Sequence, residues 1–87
     1  MDELYKIFIS EPALMYLESL PPVHVGKILD SIRLLETFPE MGFHVQSPNW
    51  SEFRQLIVDW YRIVYKIEKE KKLVTIHLVK HGKMNFQ

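Results

Sequence analysis

Apolar and polar residues recur along this chain first with a helical and then with a strand-like period, after a short opening strand. Residues 4–10 (Leu4-Tyr5-Lys6-Ile7-Phe8-Ile9-Ser10) are rich in β-branched and aromatic side chains and predict that strand. Ser10 then offers a helix N-cap, with Glu11 and Pro12 in the first turn, where acid and proline are both tolerated. Ala13, Tyr16, Leu17 and Leu20 fall on one helical face. Pro21-Pro22 ends the helix, because proline lacks the N–H donor and clashes with the preceding turn. A second helix is predicted over 22–38, with Val25, Ile28, Leu29, Ile32 and Leu35 as its apolar stripe and Pro39 as its stop. Two short, one-sided helices this close in sequence predict an antiparallel hairpin packed on a sheet. Residues 39–51, rich in Pro, Gly, Ser and Asn, predict a long loop.

From Glu52 onward the period is that of strands, predicted near 53–58, 60–67 and 72–80, with turns at Asp59-Trp60 and Glu68–Lys71. Along 60–67, Tyr61, Ile63, Tyr65 and Ile67 share one face, and Arg62, Val64 and Lys66 share the other. Setting Tyr65 opposite Val74, Ile63 opposite Ile76 and Tyr61 opposite Leu78 gives one continuous apolar face for the helices to cover. The same register sets Arg62 opposite His77 on the uncovered face, with Thr75 and His81 following along the last strand. The predicted class is α+β: an N-terminal strand, a helical hairpin, then a three-stranded antiparallel meander, forming one sheet covered on one face by two helices.

Length makes 1–87 a single domain with one core. Cysteine is absent, which removes disulfides, thiolate nucleophiles and cysteine metal clusters and fits a reducing compartment. The N-terminal stretch lacks the basic start and apolar run of a secretory signal, and no apolar stretch approaches the ~20 residues of a membrane span. A cytoplasmic protein without membrane contact is the expectation. Net charge is zero, yet residues 1–53 carry 3 basic and 8 acidic side chains while residues 54–87 carry 8 basic and 3 acidic. That asymmetry suggests an anionic partner for the C-terminal half, or simply two solvated faces that differ.

Two motifs sharpen this picture. Phe53-Arg54-Gln55-Leu56, followed by Trp60-Tyr61-Arg62-Ile63-Val64-Tyr65-Lys66-Ile67, resembles the RelE/ParE toxins of type II toxin–antitoxin systems, where an Arg-x-Leu strand precedes a Tyr-Arg-x-x-Tyr strand. Ile76-His77-Leu78-Val79-Lys80-His81-Gly82-Lys83 resembles the last strand and His-Gly-basic ending common in the ParE branch. The resemblance spans nearly the whole chain and implies a growth-inhibiting toxin neutralised by a small cognate antitoxin. It implies contact with operator DNA only through that antitoxin. RelE-type members cut mRNA on the ribosome and ParE-type members inhibit DNA gyrase. The ending of this chain is closer to ParE, so gyrase inhibition is the expectation. A ribosome-dependent mRNA endonuclease is the alternative, and a nontoxic, antitoxin-binding remnant is a further one.

Metal-free RNA cleavage needs a group that activates the 2′-hydroxyl, a cation for the crowded phosphate and an acid for the leaving oxygen. If the chain is a nuclease, the resemblance makes Arg62 the phosphate contact and His81 the proton exchanger. Two departures weaken that chemistry: Gly82 stands where many nuclease members have a second arginine, and Phe86 where they have a tyrosine, and a phenyl ring has no proton to give. Arg54, Lys66, His77, Lys83 and Phe86 are the candidate binding residues, Lys83 and Phe86 for a target. Whether Arg54 shares a face with Arg62 depends on turn length. A two-residue turn pairs Ile57 with Arg62 and sends Arg54 beneath the helices, where Glu36 or Glu40 would be its carboxylate partner. A three-residue turn puts both arginines on the open face.

Other constellations carry less. His77 and His81 are ~13 Å apart on a strand, too far to share an ion, and no metal or other cofactor is expected. The glycines of a phosphate loop are missing around Gly26-Lys27. Lys66 to Lys72 alternates with Glu68 and Glu70, as a solvated hairpin tip does. Tyr16 and Tyr61 fit the core. Trp60 is either a partner anchor or a local packing residue.

Overall fold

The computed structural model describes residues 4–82. The first strand, β1 (Lys6–Ile9), runs into helix α1 (Glu11–Glu18) through a junction that Ser10 builds. Its side-chain oxygen accepts from the Ala13 N–H at 3.3 Å, capping the helix, while its hydroxyl donates to the His77 carbonyl at 2.6 Å. Helix α2 (Pro22–Leu34) starts at the prolines as expected but stops four residues short of the predicted end. Beyond Leu34 the chain tightens into turns, the Leu35 and Glu36 N–H groups donating to the Ile32 and Arg33 carbonyls, and the Glu36 carbonyl accepts from the Tyr5 N–H beside β1.

Strand β2 (Phe43–His44) lies in the stretch predicted as loop. It is followed by β3 (Arg54–Val58), β4 (Tyr61–Glu68) and β5 (Leu73–His81). The five strands form one sheet in the order β1-β5-β4-β3-β2, antiparallel except for the parallel β1–β5 pair. The expected meander is therefore the centre of a wider sheet. Asp59 and Lys72 take left-handed backbone at the two hairpin turns (φ 54° and 52°), a region that non-glycine residues enter at a cost.

The core lies between the helices and one face of this sheet. Ala13 and Leu17 of α1, Ile28 and Ile32 of α2, and Leu35 just after it pack against Tyr61, Ile63, Tyr65, Val74, Ile76 and Val79. Val25 and Leu29, assigned to the same stripe by periodicity, instead line a groove between the two helices. No helix among the described residues is long and apolar enough to cross a membrane.

The β4–β5 register corrects the expected one. Tyr65 sits opposite Ile76 and Ile67 opposite Val74, two residues along from prediction, because the four-residue turn is Lys69–Lys72, one residue later than the predicted Glu68–Lys71. A shift of two leaves every side chain on its face. Beyond Tyr65, however, the register slips once more: Val64 pairs with Leu78, Ile63 with Val79, Arg62 with Lys80 and Tyr61 with His81. His77 is the extra residue of a β-bulge, and a one-residue slip exchanges the faces of everything after it.

Candidate functional site

That bulge decides where the candidate residues point. Upstream of it, Val74 and Ile76 face the helices; downstream, Val79 and His81 do so, while Leu78 and Lys80 turn to the Arg62 side. His81 accordingly stacks edge-on against Tyr61, ring centroids 6.1 Å apart, beside the contacts of Tyr61 with Tyr16 and His24. The expectation that His81 follows Arg62 along the same face is overturned.

Arg62 points away from the helices, as expected. Its Nε donates to the Gly82 carbonyl at 3.2 Å and its Nη1 to Gln55 Oε1 at 3.0 Å. Gln55 is itself buried at 5% exposure, so these bonds hold the guanidinium in a fixed orientation. Lys80 is its cross-strand neighbour. Burial first, and the adjacent Arg62 charge second, push the Lys80 ammonium below the ordinary lysine range. Sequence reasoning missed Lys80, because the unbulged register sets His77 in its place. Gly82 fits the same corner: a Cβ there would lie 3.0 Å from the Trp60 carbonyl oxygen, so a larger residue would press that carbonyl back by a few tenths of an ångström.

The face carrying Arg62 is not bare. Val64 and Gln55 are buried on it, and Val45, also buried, lies outside the helix-side cluster. The segment around the 3-10 turn Pro48–Trp50 folds over this side: the Trp50 and Phe53 rings flank that of His77 with centroids 5.6 and 5.0 Å away. Lys66 pairs with Glu52 at 3.6 Å, with its Nζ 6.0 Å from the centre of the Phe53 ring. His77 and Lys66 thus belong to one aromatic and charged patch, next to Arg62 along the sheet.

Arg54 lies on the other side. The β3–β4 turn has two residues, Ile57 pairs with Arg62, and Arg54 pairs with Tyr65 on the helix-covered face. The carboxylate partner expected for it is replaced by main chain: Nη1 donates to the carbonyls of Gly42 at 2.7 Å and Glu40 at 3.4 Å. The Glu40 carboxylate instead pairs with Lys69 at 2.8 Å, which together with the more distant Arg54 charge holds it below the ordinary glutamate range. Tyr65 completes this corner, donating to the Pro39 carbonyl at 2.7 Å and accepting from the Gly42 N–H at 2.9 Å. Lys83 and Phe86 lie outside the described residues.

Two concavities bear on function. A shallow pocket of about 250 Å³ at the β3–β4 turn is lined by Ile57, Asp59, Trp60, Arg62, His81 and Gly82. A larger apolar groove of about 610 Å³ runs between α1 and α2, walled by Leu14, Leu20, Val25 and Leu29. At Gly26 on its edge, an added Cβ would meet nothing within 4 Å. Among the described residues, no group of three or more His, Cys, Asp or Glu is placed to hold a metal ion.

Residues 7–86 match the family described as the ParE toxin of the type II toxin–antitoxin system parDE. No curated protein sequence matches the chain at a significant level. Among solved structures, the toxin–antitoxin complex RelBE2 from Mycobacterium tuberculosis aligns with a TM-score of 0.82 at 22% identity, covering 90% of this chain and 98% of that one. The archaeal RelE–RelB complex from Pyrococcus horikoshii aligns with a TM-score of 0.76 at 20% identity, over 94% and 99%. The intact Escherichia coli RelBE toxin–antitoxin complex gives 0.77 at 18% identity, over 92% and 99%. At these identities the likeness establishes a shared fold.

Proposed function

Because the chain belongs to the ParE toxin family of type II toxin–antitoxin systems, we propose that it arrests growth by binding and inhibiting DNA gyrase until a cognate antitoxin masks it. The observation that carries this reading is the bulge at His77. It sends His81 to the helix side of the sheet while Arg62 stays on the other. A nuclease would need the cation and the proton carrier converging within hydrogen-bond reach of one phosphate. An inhibitor that acts by binding needs only a rigid, complementary surface. The loss of a tyrosine at Phe86 and of an arginine at Gly82 supports the same conclusion. The apolar groove between α1 and α2 suits the apolar face of an antitoxin helix.

Purified protein should block gyrase supercoiling, and a pre-formed complex with the antitoxin should not. Unaltered supercoiling at stoichiometric excess of free protein removes the reading.

One observation favours the second reading, a ribosome-dependent mRNA endonuclease. Although they leave opposite faces, Arg62 and His81 both line the pocket at the end of the sheet. In that case translating ribosomes would yield cut message, and Arg62→Ala would abolish the cut. Uncut message in a competent assay eliminates it.

A further inference from the structure

The β3–β4 turn carries the most exposed large apolar side chain among the described residues, Trp60 at 68%. Tryptophan is usually well buried, and this one could have packed on the sheet. It does not. Beside it Ile57, at 51% exposure, projects from the Arg62 side of β3. The two form an apolar tip beside Arg62, which lines the adjoining pocket together with Asp59, His81 and Gly82 and has Lys80 across from it on β5.

The backbone of the tip is tied to its neighbours at three points. Asp59, in left-handed backbone, pairs with Lys27 of α2 at 3.3 Å. The Gly82 N–H donates to the Trp60 carbonyl, and the close approach of Gly82 to that carbonyl leaves little room for any side chain. The Arg62 Nε in turn holds the Gly82 carbonyl. An indole has only two side-chain torsions and sits here on a turn whose backbone is already tied down, so it loses little conformational freedom on docking, which suits tryptophan as an anchor of protein interfaces.

From this juxtaposition we propose that the Ile57–Trp60 tip is the anchor by which the protein grips its growth target. The partner it fits is a protein surface with an apolar socket for the indole, rimmed by carboxylates on the side that meets Arg62 and Lys80. The antitoxin is assigned to a different place, the helix groove on the far side of the sheet. The proposal deepens the inhibitor reading and rests on it for the identity of the target, but not for the position of the contact.

The test is Trp60→Ala, with Trp60→Phe beside it, read in three ways: growth arrest on induction, inhibition of gyrase supercoiling, and binding to the co-purified antitoxin. The side chain is solvent-exposed, so the fold and the antitoxin affinity should be unchanged. Growth arrest should be lost and the inhibitory concentration should rise about thirtyfold or more for alanine, with phenylalanine intermediate. Undiminished growth arrest by Trp60→Ala overturns the proposal. So does a selective loss of antitoxin binding, which would give the tip to the antitoxin, and so does a wild-type protein that arrests nothing. A wild type that arrests growth without affecting gyrase, and needs Trp60 to do it, would instead refute the gyrase reading and keep the anchor.

Discussion

Tyr65 shows how much one hydroxyl can organise. The ring is completely buried in the helix-side core, and its oxygen joins the Pro39 carbonyl to the Gly42 N–H. A Cβ on Gly42 would fall 2.6 Å from the Gln55 carbonyl oxygen and 2.7 Å from that hydroxyl, so only glycine lets the chain pass this close. Tyr65→Phe should cost about 1–3 kcal/mol in urea unfolding, since a buried donor loses its partner. Burial, the largest influence, raises the Tyr65 pKa above the ordinary value. The neutral phenol therefore stabilises the folded state fully below about pH 10, and that contribution is lost as pH rises through the folded pKa. Melts of Tyr65→Phe should show a flatter alkaline limb than wild type; an identical limb would contradict the assignment.

Among the elements, the last strand is the instructive one. Its face pattern changes midway at the bulge, where the hydroxyl of Ser10, 67 residues away in sequence, donates to the His77 carbonyl. Ser10→Ala removes both this bond and the α1 cap, and should lower stability by about 1–2 kcal/mol in chemical denaturation. A loss below about 0.3 kcal/mol would show that the junction is held by packing alone.

Much of the architecture was legible because it follows short-range rules. The serine cap, the double proline and the alternation from Tyr61 to Ile67 each act within a few residues. The bulge was not legible, since both registers bury plausible apolar residues: Leu78 in one, Val79 in the other. Nor was β2, because two residues have no period. Nor was the end of α2, past which the Glu36 carbonyl turns to accept from Tyr5, a contact between distant segments. For the site, the sequence supplied Arg62 and its orientation, but the uninterrupted register placed His81 with it and left Lys80 out.

On the scale of the whole molecule, the opposed charges of the two halves are drawn together by folding. Lys27–Asp59, Glu52–Lys66 and Glu40–Lys69 each join a residue of the first 53 to one of the rest. All are exposed, and such pairs individually contribute little. Glu40 still gives its pair a direction with pH. Its hydrogen bond and attraction to Lys69 lower its pKa, so its contribution is complete above the unfolded glutamate value and is lost as pH falls through the folded one. Glu40→Gln should flatten the acid limb of the thermal melt between about pH 2 and pH 6. A variant that loses stability in parallel with wild type over that range would show the pair to be without effect.

The parallel pairing of Lys6–Ile9 with Leu73–Ile76 has a consequence in time. The edge strand Lys6–Ile9 borders only Leu73–Ile76, so it cannot join the sheet until residues through Ile76 have been made. Contacts this far apart in sequence also form slowly. A chain interrupted upstream of Leu73 would lack both the central strand β5 and the partner of β1, and should fail to form this sheet. Potency would arrive all at once, with the arrival of the final strand.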